Sequence, residues 1–173
     1  MTQNSSNATE DSQATPPILD ARHNDIAVFM AAANTEKRQP LLGFDEDYVD
    51  IVDYIVRCTH KIWEERGVGL IYTHYGHNIV IHTADGTTYG RDKVIADSIK
   101  TMNAFPDIRL YADDVIWSGN DQEGFHSSHR IFWTGHNCGH SIYGPPTGRK
   151  VTRYGVAQCL VKENRIVEED LPR

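Results

Sequence analysis

GFHSSHRIFWTGHNCGHSIYGPPTGRKV, residues 124–151, decides how the rest of the chain is read. Its first half alternates. Phe125, Ser127, His129, Ile131 and Trp133 fall on one side of an extended strand, and His126, Ser128, Arg130, Phe132 and Thr134 fall on the other. One side is core or pocket, and the other meets solvent or a partner. Its second half, rich in Gly and Pro, is turn material. Four of the chain's nine histidines lie in this one stretch.

Downstream, Lys150 to Lys162 and Arg165 to Asp170 read as strands joined by a turn at Glu163-Asn164. Upstream, Ile108 to Ala112 and Val115 to Ser118 read as two more, with a turn at Gly119-Asn120-Asp121. Before these the period changes. Tyr48, Ile51, Val52, Ile55, Thr59, Ile62 and Trp63 follow helical spacing, with Asp45, Glu46 and Asp47 at the positive end of the dipole and Gly67 as a left-handed cap. A short helix is expected to hold Leu70, Ile71, Tyr72 and Tyr75. His77 to Thr83 is a strand, with Ile79 and Ile81 facing one way and Val80 and His82 the other. Gly90 opens a third helix along Val94, Ile95, Ser98, Ile99 and Met102, ending before Pro106.

Three helices and a run of strands make an α+β fold, in which a curved, mainly antiparallel sheet wraps the helices into a cone with a central cavity. Such a cavity suits a small ligand better than a polymer. Residues 1–41 read as a polar, disordered tail plus a short helix from about Ile26 to Ala33, and residues 42–173 as the folded domain.

The totals narrow the function. A chain of 173 residues with 39% hydrophobic content builds one real core, and a net charge of −7 argues against nucleic acid and anionic membranes. Cys58, Cys138 and Cys159 have neither disulfide nor zinc spacing. No apolar run is long enough to span a membrane, and no secretory leader is visible, so the expected location is the cytoplasm. The Asn4 and Asn7 glycosylation patterns are chance matches in a Ser/Asn/Thr-rich tail. Phosphate loops and nucleophile elbows are absent.

Arg130, then Gly135-His136-Asn137-Cys138-Gly139, then Pro145-Pro146-Thr147-Gly148-Arg149 resemble the signature of the SnoaL-like polyketide cyclases in the nuclear-transport-factor-2-like superfamily. Tyr75 to His82, Gly90-Arg91, Phe105-Pro106-Asp107 and Asn164 to Glu169 extend the resemblance over about Asp45 to Asp170. It implies the cone fold, a homodimer and a small organic ligand, on a scaffold that hosts isomerases, cyclases, dehydratases and non-catalytic binders. Two positions depart from the pattern. Asn137 stands at the family's turn histidine, and Gly155-Val156-Ala157 offers no carboxylate where relatives often have one.

Histidine is the side chain best suited to proton transfer near neutral pH. His82, at the end of the entry strand, and His129, among Ile131 and Trp133, are the expected proton-transfer groups. Tyr72, Tyr75, Trp117, Ile131, Trp133 and Tyr154 are the expected ligand wall. Glu168 and Glu169 point to opposite faces, so at most one enters the cavity, and there burial would raise its pKa. Asp170 is either a displaced acid or the end of a shortened strand. His126 and His129, three apart on a strand, diverge, and neither a metal nor a cofactor is expected. The expectation is cofactor-free acid–base chemistry of the cyclase, isomerase or dehydratase kind. Its rivals are a non-catalytic binding or assembly module and one subunit of a hetero-oligomer.

Overall fold

The computed structural model describes residues 39–171. The expected tail and its short helix lie outside the described residues. In chain order come α1 (Ile51–Trp63), α2 (Leu70–His74), β1 (Tyr75–Thr83), β2 (Gly86–Tyr89), α3 (Arg91–Ala104), β3 (Arg109–Asn120), β4 (Gly124–His136), β5 (Lys150–Lys162) and β6 (Arg165–Leu171). One sheet runs β2-β1-β6-β5-β4-β3. All neighbours are antiparallel except β1 and β6, which are parallel. The result is the α+β cone, helices against a curved, unclosed sheet.

The helix expected from Asp45 begins instead at Ile51, because Asp50 caps it. Asp50 Oδ1 accepts the Asp53 N–H at 2.7 Å, a cap of about 1 kcal/mol. Asp53, itself buried, holds Arg57 at 2.8 Å and accepts the Val49 N–H at 3.2 Å. Tyr48 therefore packs from the preceding loop, not from the helix. Ile51, Tyr54, Ile55, Cys58 and Ile62 are almost fully buried against the sheet, each of the large apolar ones contributing about 1.5–3 kcal/mol. At the far end the left-handed residue is Arg66, not Gly67. Gly67 is required for a different reason: a Cβ there would lie 2.9 Å from the Lys61 carbonyl oxygen.

The loop before α1 closes one end of the cone. Leu41, Phe44 and Tyr48 are buried, and Phe44 meets Phe125 edge-on at 5.8 Å. Behind them a polar chain runs through the interior. Tyr48 Oη lies 2.7 Å from His74 Nε2, and Thr73 Oγ1 lies 2.7 Å from His74 Nδ1.

The pairing breaks register at three places: between Tyr75 and Val80 where β1 meets β6, on β3, and on β6 against β5. The two strands expected over Ile108–Ser118 are one strand, β3, in which the pairing jumps from Asp113↔Arg130 to Ile116↔Ser128. Asp114 and Val115 together oppose His129, and Asp114 takes φ 47° to do so. On β6 the pairing jumps from Val161↔Ile166 to Leu160↔Glu168, leaving Val167 extra. A bulge of this kind reverses which residues face inward beyond it.

Candidate functional site

The alternation of β4 is as the sequence reads. Phe125, Ser127, His129 and Trp133 are buried on the inner face, with Ile131 half-buried between them. Across the pairing, one inner row runs Trp117, Ser127, Cys159, Glu169, Ile81. The next row runs through His129 and Ala157.

The described core is two apolar clusters rather than one. The larger holds α1, with Tyr75, Trp117 and Leu171 packed at its margin; the smaller holds Phe105, Ile108, Leu110 and Trp133, with Ile131 at its margin. Trp63 touches both. His129, only 4% exposed, stands on β4 at the seam between them, opposite the β3 bulge.

Glu169 is the second ionisable group of this interior. Burial, and after it the charge of Asp170, pushes its carboxyl up to about 7. The same desolvation lifts Tyr75 well above the ordinary phenol range and the Cys58 thiol to about 12. Tyr75 and Glu169 both keep part of their surface accessible. Cys58 and Cys159, held as thiols by burial, are poor nucleophiles.

Of the residues expected at the site, the inner face brings together His129, Tyr75, Trp117, Ile131 and Trp133. It does not include the other three. His82 is on the outer face, because Ile79 and Ile81 take the core side of β1. Its Nδ1 lies 3.2 Å from Thr87 Oγ1 and its Nε2 3.4 Å from Glu168 Oε1. Tyr154 has the parity of Phe132 and is 71% exposed. Tyr72 lies on the surface of α2 under the Arg91 guanidinium, 4.4 Å from its ring centroid.

The outer face has features of its own. A groove of about 530 Å³ is lined by Ile116, Ser128, Gln158, Leu160, Glu168 and Asp170 of this face, and also borders Trp117, Ser127 and Cys159 of the inner row. Asp170 shares this outer face and is paired to His82 and Gln158. Beside the groove, Tyr111, Phe132 and Tyr154 form an aromatic row with centroids 6.1 and 5.0 Å apart.

The turn segment after β4 is organised by Asn137, which is 5% exposed. Its Oδ1 accepts the Thr147 N–H at 2.9 Å and its Nδ2 donates to the Gly139 carbonyl at 3.0 Å. His136 points away to the surface, where Nδ1 meets Asp107 Oδ2 at 2.6 Å and holds that carboxyl below its usual range.

Among the described residues no group of three or more His, Cys, Asp or Glu is placed to hold a metal ion. Nor is any helix among them long and apolar enough to cross a membrane.

The model of the SnoaL-like polyketide cyclase family matches residues 53–170. No curated protein matches the chain. Among solved structures, AclR of Streptomyces galilaeus, a candidate hydroxylase, is 21% identical over 68% of this chain and 83% of its own, with a TM-score of 0.55. IdmH of Streptomyces antibioticus, a candidate polyketide cyclase, is 20% identical over 69% and 88%, with a TM-score of 0.56. A SnoaL-like candidate cyclase of Jannaschia sp. CCS1 is 14% identical over 68% and 83%, with a TM-score of 0.57. At these identities the likeness is one of fold, and the differing descriptions agree with a scaffold that does not dictate its reaction.

Proposed function

Because the chain belongs to the SnoaL-like polyketide cyclase family, we propose that it is a small-molecule enzyme doing cofactor-free acid–base chemistry of the cyclase or isomerase kind. The observation that carries this reading is His129, an imidazole on the inner sheet face at the seam of two apolar clusters. In this reading Trp117, Ile131 and Trp133 are the wall that holds an apolar ring compound. There a base removes a proton next to a carbonyl and the surrounding dry wall strengthens every charge interaction with the developing enolate.

Turnover of cyclisable β-dicarbonyl compounds by the wild type and by His129→Ala tests it. A loss of about 10²-fold or more in kcat is expected. Unchanged turnover in a natively folded variant removes His129 from the mechanism.

The same reading takes the protein as a homodimer through the outer sheet face. Ile116, Tyr154 and Val156 are exposed there. The groove lies on one side of Arg130 and Val156, and the aromatic row on the other. A two-fold axis through that pair sets each copy's row over the other's groove.

A further inference from the structure

The interior holds a carboxylate that the fold does not use. Other acidic groups set into the protein are tied to a partner: Asp53 to Arg57 and the Val49 N–H, and Glu64 to Arg109 and the Leu110 N–H at 2.7 Å. Glu169, by contrast, is held by no side-chain hydrogen bond or ion pair among the described residues, and it keeps part of its surface accessible. It stands between Cys159 of β5 and Ile81 of β1. Its ionisable neighbours there are Tyr75 of β1, Cys58 of α1 and Cys159. None of these supplies a positive charge. An unpaired carboxylate in such a place is costly when ionised, and a fold that needed only packing would be better served by an apolar residue.

We propose that Glu169 is a proton-transfer group of the inner site, acting on an apolar substrate that carries an acidic C–H beside a carbonyl. This rests on the enzymatic reading given above and adds to it the residue that takes the proton, which leaves His129 to hydrogen-bond the enolate oxygen. By sheet register Glu169 and His129 are two strands and one inner row apart. That is roughly 12 Å between Cα atoms, from a strand spacing of about 4.8 Å and a rise of about 3.4 Å per residue. Both residues belong to the inner face of the sheet.

In the ionised form Glu169 takes the proton from the carbon next to the carbonyl. The C–H electron pair becomes the enolate double bond, and the charge moves to oxygen. When the enolate carbon bonds to a second carbonyl carbon of the same substrate, the π pair of that C=O moves onto its oxygen, and the new carboxylic acid gives its proton to the resulting alkoxide. No net proton, oxidant or reductant is consumed. A carboxyl titrating near 7, through burial first and Asp170 second, is matched to both directions of this transfer at neutral pH.

A nitro-substituted benzisoxazole is a suitable probe, since loss of its one acidic C–H proton breaks the N–O bond and releases a coloured phenolate. The wild type is expected to bind the probe and accelerate its opening, with a rate that rises with pH through about 7. Glu169→Gln is expected to lose roughly 10²-fold while still binding it. Glu168→Gln, changed on the outer face, is expected to match the wild type, and Glu169→Asp to recover part of the rate. Binding without acceleration, or a Glu169→Gln variant as fast as the wild type, overturns the assignment of Glu169 and leaves the cavity reading intact. Failure of the wild type to bind the probe overturns both.

Discussion

Glu168 and Glu169 are neighbours on β6 and stand on opposite faces of the sheet, the first beside His82 and the second beside Cys159. Their titrations should therefore leave different marks on stability. Glu169 has a higher pKa folded than unfolded, so the folded state binds the extra proton between about pH 4.5 and pH 7. Stability from this group is fully present below that range and is lost as pH rises through it. Glu169→Gln cannot ionise, so relative to wild type it should gain up to about 3 kcal/mol at alkaline pH and little at acid pH. Chemical denaturation at several pH values measures this. Glu168→Gln should show no such crossover.

His74 predicts the opposite slope. It is buried between Tyr48, Tyr54 and Thr73, and desolvation lowers its pKa against the pull of Asp45. Below about pH 6.5 the unfolded chain binds a proton that the folded chain resists, so stability falls with pH there. Because His74 ties the loop at Tyr48 to α2, acid should release the loop that closes the cone. In the Glu169→Gln background, where the opposing carboxyl titration is absent, the melting temperature should drop between about pH 7 and pH 5, and adding His74→Gln should flatten that drop while lowering the plateau above it.

The inner face of β4 was legible because Phe125 to Trp133 alternates without interruption, and strand parity then fixes five side chains at once. The cone was legible because helical spacing from Ile51 to Trp63 gives way to extended alternation. What sequence could not supply was the position of the bulges. Counting by twos from buried Ile166 puts Glu168 inward; the extra residue Val167 reverses that and puts Glu169 inward. Aromaticity alone suggests Tyr154 for the ligand wall, yet it has the parity of Phe132, and pairing sets it on the outer face. His82 was readable, since Ile79 and Ile81 already claimed the core side. Asp50 rather than Asp45 caps α1 because only Asp50 has Asp53 three residues on, with both carboxylates taken up by backbone N–H groups.

Asn137 gives a third prediction. It stands where the family places a turn histidine, and here the side chain is a structural tie that satisfies Thr147 and Gly139 from within the loop. Asn137→Ala leaves the Thr147 N–H and the Gly139 carbonyl without these partners. A loss of about 2 kcal/mol is expected in urea unfolding, together with faster proteolysis between residues 138 and 148. His136→Ala, at an exposed position one residue earlier, should cost less and should not loosen the loop.

The outer face supplies the last prediction. Tyr154 is 71% exposed and leans on Phe132, which in turn stacks on Tyr111. An aromatic row of this kind in water is an unfavourable surface unless something covers it. The groove beside Glu168 and Asp170 and the aromatic row lie on one face, on either side of the Arg130–Val156 pair. In a two-fold dimer Tyr154 of each copy enters the groove of the other. Tyr154→Asp should place a carboxylate against Glu168 and Asp170 of the second copy and convert the dimer to monomer, read as a halved mass in light scattering. Tyr154→Phe should keep the dimer. Should the wild type itself run as a monomer, with a mass unchanged by either substitution, this face is not the interface between copies.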